Sequence, residues 1–338
     1  MLAYINFPNW LKPEIIPGLP VRWYGLMYLV AFGITYFLVL RQFKRDDTGL
    51  EEDDLISCFF WAIIGLLIGA RIFATTIYDP THYYIRQPWL IFWPFRNGSF
   101  TGLQGMSYHG GVAGAVVGTL LFCRKKKQPW FKYADLLAAA IPLGYTFGRL
   151  GNFINGELWG RVTTKSWGVV FPHAPFFPTA QQWVSDIVAE IGMTMPPSGW
   201  INLPRHPSQL YEALFEGVIL WLFLWFVVRR KKKADGAVVS FYLIGYGFVR
   251  FFIEYFREPD ADMGFPLQFA DQGPTQAVFR SFLNFSTGQI LCLLMIAGGI
   301  LLYRLSIWAA GRNASARGSA DEAPQVKNKI RRNRKKLK

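Results

Sequence analysis

The amino-acid sequence predicts an all-α fold: a polytopic membrane protein with seven transmembrane helices, its N-terminus outside, its C-terminus in the cytoplasm and a small external cap. Three observations predict it. Of the 338 residues, 52% are hydrophobic and 17% aromatic, too apolar for an ordinary soluble domain of this length. Apolar runs of about 18 residues or more with few charges recur along the chain, as bilayer-spanning helices require. Lysine and arginine gather in alternate connections between those runs, the pattern that orients such helices.

The runs are Tyr24–Leu40, Leu55–Tyr78, Met106–Cys123, Tyr133–Ile154, Leu210–Val228, Ala237–Phe256 and Thr287–Ala310. Arg41, Lys44 and Arg45 follow the first, Arg124 to Lys127 and Lys132 the third, and Arg229 to Lys233 the fifth. The chain after the seventh ends "KNKIRRNRKKLK". Positive connections stay in the cytoplasm, and the acids of "DDTGLEEDD" carry little weight in that rule. The start of the chain lacks the features of a removable signal peptide, so the first run is expected to be retained. Residues 1–310 are read as one helical domain, with 156–209 as the external cap. Residues 311–338 are read as a basic, disordered tail suited to anionic headgroups. That tail accounts for much of the net charge of +14. No aromatic or folded module stands beside it, so no nucleic acid is expected as a partner. Cys58, Cys123 and Cys292 all fall within apolar runs and read as packing residues. Neither a disulfide framework nor a metal-ligand spacing is present, and no cofactor is called for.

Polar groups interrupt the runs at one predicted depth. Arg71, Arg149 and Arg250 lie past the middle of runs going outward. Tyr24 and His109 lie near the start of runs going inward. A charge at the bilayer centre costs about 2.5–3.5 kcal/mol on insertion scales, so such residues normally face protein or a wet cavity. Arg71 could instead reach the interface, and Arg250 with Glu254 four residues on could be only a structural ion pair. Gly110, Gly114 and Gly118 share a helix face, with Gly65 and Gly69 of "GLLIG" as a possible partner face. The fourth run ends in "GRLGNFINGELWGR", from Gly148 to Arg161. Asparagine amides, exposed backbone N–H groups and a guanidinium together suit an anion, phosphate above all. At headgroup depth, that anion is expected to be a phospholipid.

"GRLGNFINGELWGR" closely resembles the signature of the prolipoprotein diacylglyceryl transferase family. "WYGLMY" from Trp23, "SYHGGVAG" from Ser107, "RHPSQLYEALFEG" from Arg205 and "IGYGFVRFFIEYFREPD" from Ile244 resemble its other blocks, in order. The resemblance implies a seven-helix enzyme of the bacterial inner membrane with its active site toward the periplasm. The implied reaction moves the diacylglyceryl group of phosphatidylglycerol to the lipobox cysteine thiol in the signal peptide of a secreted prolipoprotein. A thioether forms and glycerol phosphate leaves. The implied functional positions are Tyr24, His109, Arg149, Asn152, Glu157, Gly160, Tyr246, Arg250 and Glu254. On chemical grounds Arg149 and Arg250 are expected to bind phosphate, and Asn152 and Glu157 to bind the headgroup or hold the arginines. His109 is expected to accept the thiol proton, with Tyr24 or Tyr246 as a relay.

Overall fold

The structure is a computed structural model. It describes residues 4–16, 22–46, 50–79, 81–96, 98–100, 105–259, 264–271 and 273–336, the backbone alone at 96, 99, 100 and 313–336. Each of the seven apolar runs is helical. The principal helices are α1 (Trp23–Arg45), α2 (Glu52–Thr76), α3 (Tyr108–Lys126), α4 (Trp130–Ile154), α5 (Gln182–Ile191), α6 (Ser208–Lys231), α7 (Ala237–Phe256) and α8 (Thr287–Lys336). Five of them, α1, α2, α6, α7 and the first half of α8, are long and apolar enough to cross a membrane. Helix α3 is glycine-rich and ends in Arg124–Lys126, and α4 includes Lys132, Asp135 and Arg149. The backbone of α8 continues as helix to Lys336, where the composition led us to expect irregular chain from Gly311. Alanine, glutamine, lysine and arginine in that stretch are good helix formers, and a helix already nucleated in the preceding span propagates readily.

The chain divides into two compact units, residues 40–136 and residues 1–39 with 137–338. In the smaller unit α2 and α3 meet through glycine. A Cβ on Gly114 would stand 2.0 Å from the Gly65 carbonyl oxygen, and one on Gly69 would stand 2.3 Å from that of Gly110. Only glycine lets the two backbones approach so closely. Ser107 caps α3, its hydroxyl accepting from Gly110 N–H at 3.1 Å. At the other end Lys126 pairs with Asp54 at 2.9 Å. Arg71 is buried and does not reach out to an interface. It donates to the carbonyls of Ile91 and, at 3.3 Å, Gly105, and its guanidinium lies over the Tyr84 ring. It therefore clamps the connection that exposes Trp89 and Trp93.

In the larger unit, Gly144 of α4 sits against Thr35 and Ala31 of α1. A Cβ at Gly217 of α6 would fall 2.1 Å from the Thr146 hydroxyl of α4, so these helices also touch closely. Gly247 and Gly299 play the same part between α7 and α8. The connection 156–209 is folded rather than irregular. Strand β2 (Val169–Val170) runs parallel to β1 (Ile5–Asn6), and β3 (Phe177–Pro178) pairs antiparallel with β4 (Trp200–Ile201). Short ladders thus supplement the expected all-α architecture. Val184, Val188, Ile201 and Leu203 pack with Val162, Trp183 and Ala277 in one small core. Phe7, Val169, Phe171 and Ala174 form another. A proline-rich connection cannot satisfy its backbone by helix alone, and these ladders pair part of it instead.

Candidate functional site

Helix α6 is wound as π-helix over Glu212–Ile219 and again over Leu224–Val228. Such wide turns concentrate at functional sites. The first begins at Glu212 and holds Glu216 one turn on, both with no exposed surface. Two buried carboxylates in an apolar helix are tolerable only if cations reach them.

Three arginines do. Arg149 of α4 places Nε 2.8 Å from Glu212 Oε2. Arg250 of α7 places Nη1 3.2 Å from Glu212 Oε1 and 3.6 Å from Glu216 Oε1, and Nη2 2.8 Å from Glu254 Oε2. Arg257, just past α7, donates to Glu212 Oε1 at 2.9 Å and lies 3.9 Å from Glu254. Glu254 accepts from the Ser286 hydroxyl at 3.1 Å, and Gly288 leaves room for its carboxylate. Arg149 and Arg250, far apart in sequence, therefore converge on one carboxylate. The cluster is not the purely positive nest that arginine, asparagine and glycine suggested: three guanidinium groups face three carboxylates. Glu212 Oε2, Glu216 Oε1 and Glu254 Oε2 lie at ion-pair distance from guanidinium nitrogens but receive no well-directed hydrogen bond.

Aromatic hydroxyls complete the cluster. Arg149 Nε donates to the Tyr145 hydroxyl at 2.6 Å, which in turn donates to Glu216 Oε2. The Arg149 guanidinium lies 4.7 Å from the Tyr145 ring centre. Tyr246 meets Tyr145 edge-on at 6.0 Å and stacks on Tyr242. Tyr24 of α1 hydrogen-bonds Tyr28 at 2.9 Å and lies against α4 at Gly151.

The end of α4 forms a tight hook. Gly156 has φ of +64°, where glycine ends a helix without strain, and Leu158 follows at +57°. Glu157 turns back, its Oε1 accepting from Asn152 at 2.8 Å and Asn155 at 3.4 Å. Asn152 and Glu157 were expected to bind the headgroup or hold arginines; among the described residues their side-chain hydrogen bonds run to one another and to Asn155. Gln209 fastens the hook by donating to the Glu157 carbonyl at 2.6 Å. Gly160 was expected to bind substrate, and it lies at a backbone crossing. Its N–H donates to His206 at 2.9 Å, and a Cβ there would stand 2.3 Å from the Phe256 carbonyl.

Arg161 continues the stitching, donating to the Arg257 carbonyl at 2.8 Å and the Gln276 carbonyl at 3.0 Å. Burial brings its pKa down to about 10. These bonds fix the backbone from which Arg257 reaches Glu212. Arg205 is wholly buried, between the Trp159 and Phe177 rings and against Glu258, and burial lowers its pKa too. Burial, reinforced by the charges of Lys165 and Arg161, holds His206 at about 4, so its ring is neutral.

In the smaller unit His109 is exposed at the first turn of α3, with Nδ1 3.0 Å from the Tyr78 hydroxyl. Within that unit the hydroxyl facing it belongs to Tyr78. The sequence reading missed Glu212, Glu216, Arg257 and Tyr145. The two glutamates had a signal: carboxylates four apart inside the apolar run Leu210–Val228.

These features define a class: a helical membrane protein with a buried, charge-balanced arginine–glutamate cluster among its helices. A family model described as prolipoprotein diacylglyceryl transferase matches residues 13–305. The phosphatidylglycerol–prolipoprotein diacylglyceryl transferase of Treponema denticola is 53% identical over 89% of this chain and 94% of its own length. Its namesake in Treponema pallidum is 47% identical over 88% and 93%, and that of Chlorobaculum tepidum 42% over 92% and 94%. The chain belongs to the prolipoprotein diacylglyceryl transferase family.

Proposed function

We propose that this protein is a phosphatidylglycerol–prolipoprotein diacylglyceryl transferase, catalysing the first step of lipoprotein maturation. It sits in the bacterial inner membrane with seven spans, its N-terminus outside and its active site toward the periplasm. The observation that carries this reading is the convergence of Arg149 and Arg250 on the buried Glu212, in a member of that family. Both lipid and acceptor come from within or beside the bilayer, so a site among helices suits them.

The sulfur of the lipobox cysteine attacks the glycerol carbon that bears the phosphate oxygen. A carbon–sulfur bond forms, the carbon–oxygen bond breaks, and glycerol phosphate leaves with the bonding pair; the thiol proton is lost. Arg149 and Arg250 bind the phosphate and stabilise the charge that grows on the departing group. A preorganised donor of this kind is worth about 10²–10³ in rate. Glu212, Glu216 and Glu254 keep the empty site close to neutral, which makes several buried guanidinium groups affordable. Tyr24 and Tyr246 line the site, and the Asn152–Glu157 hook and Gly160 shape its wall. His109, facing Tyr78, accepts the thiol proton; the arginines that bind the phosphate favour the thiolate as well.

The test uses purified protein, phosphatidylglycerol labelled in its diacylglyceryl part, and a lipobox peptide. Label should pass to the peptide only when its cysteine is intact. No transfer, or transfer to a cysteine-free peptide, would refute the assignment. Arg250→Lys keeps the charge but loses the planar fork that serves three carboxylates, and should cut turnover at least about tenfold. Unaltered turnover would count against phosphate recognition there.

A further inference from the structure

We propose that Tyr145 is a positioning residue for Arg149, and so decides how the site presents a guanidinium fork to a phosphate-bearing headgroup. The proposal rests on the reading of Arg149 as a phosphate-binding group. Arg149 and Tyr145 are four residues apart on α4, hence on one helix face. The tyrosine engages the arginine twice. Its hydroxyl accepts from Nε at 2.6 Å, and its ring lies 4.7 Å from the guanidinium carbon. The hydroxyl proton is itself committed to Glu216 Oε2. The chain Arg149 Nε–H, Tyr145 O–H, Glu216 therefore has one direction: each member donates to the next.

The consequence is geometric. Glu212 and Tyr145 both engage Arg149 through Nε, the inner nitrogen. Among the described residues neither terminal nitrogen of Arg149 makes a hydrogen bond, and its ion-pair contact with Glu212 is through Nε. Arg250, by contrast, commits both of its terminal nitrogens to glutamates. Arg149 is thus the guanidinium whose outer edge is available for bidentate recognition of phosphate. A long side chain otherwise loses much rotamer freedom when it binds. Tyr145, held by Glu216 and by the edge of Tyr246, takes that loss in advance. The close approach of α4 to α6 at Gly217 puts the tyrosine within reach of Glu216.

Tyr145→Phe removes the hydroxyl and keeps the ring. Two readouts separate positioning from general damage: equilibrium binding of labelled phosphatidylglycerol to the purified full chain, and steady-state transfer to the lipobox peptide. Affinity for the lipid and kcat/KM for it should both fall about tenfold, as for loss of one hydrogen bond to a charged group. KM for the peptide should not move. In an Arg149→Gln background the same change should cost nothing more, because it acts through Arg149. Unchanged lipid affinity, or an equal loss with and without Arg149, would overturn the proposal. If even the unaltered protein transfers no label, the transferase reading fails, and lipid binding with and without the tyrosine hydroxyl still decides this one.

Discussion

Replacing Glu212 by glutamine keeps the shape of the side chain and deletes one charge from the centre of the arginine cluster. The carboxylate lies 2.8 Å from Arg149 Nε, 3.2 Å from Arg250 Nη1 and 2.9 Å from Arg257 Nη1, with no exposed surface. At an effective dielectric near 20, each such contact carries about 5–6 kcal/mol of gross attraction. The cost of holding a charge away from water offsets most of it. Removal of one partner from a buried ion pair typically costs about 3–5 kcal/mol, because the remaining charge stays buried. Here three guanidinium groups would face two carboxylates, and among the described residues Arg257 would keep only Glu254 as an ion-pair partner, at 3.9 Å. The thermal unfolding midpoint of Glu212→Gln in detergent should therefore fall by roughly 5–15 °C. Turnover should fall with it, since Arg149 and Arg250 lose their common anchor. A midpoint within about 2 °C of the unaltered protein would show that Glu212 does not hold the cluster together.

Three more outcomes follow from other parts of the molecule. Gly114→Ala should lower the unfolding midpoint, costing about 1–3 kcal/mol of overpacking, because its Cβ would stand 2.0 Å from the Gly65 carbonyl; Gly33→Ala, with nothing within 4 Å, is the neutral control. His206 has a native pKa of about 4 against an ordinary 6.5, so in that window the unfolded chain binds the extra proton. Its share of stability is intact above about pH 6.5 and drains away as pH falls toward 4; midpoint–pH curves of the native chain and His206→Gln that run parallel there would refute this. His109→Gln should slow transfer, whereas near-normal turnover would remove His109 as the proton acceptor.

The helices were legible because hydrophobicity is a local property. Each of the seven apolar runs lies mainly in a helix; observed ends extend by up to five residues where charged or polar ends continue the backbone pattern, as at Arg45 and Lys126, and the seventh helix continues to Lys336. The α2–α3 contact was legible too, because glycines four apart leave a smooth face whatever their partner. The Arg250–Glu254 pair followed from helical spacing and is present at 2.8 Å. The connection 156–209 was not legible. Its ladders pair Ile5 with Val169 and Phe177 with Ile201, and its core takes in Ala277. Nothing in the periodicity of the segment announces such distant partners.

By itself the sequence determined which segments are helical and apolar, which glycines form packing faces, and that arginines stand inside helices with a cost to explain. Each rests on spacing within one segment, and the periodicity of a helix makes spacing readable. Only the tertiary structure decided that Arg149, Arg250 and Arg257 share Glu212, that three carboxylates balance them, and that Arg149 is held by Glu212 and Tyr145 rather than by Asn152 or Glu157. Coulomb attraction depends on distance in space, and helices joined by long connections can bring any charge to any other. The arginines could be read singly; their neutralisation required knowing how α4, α6 and α7 pack.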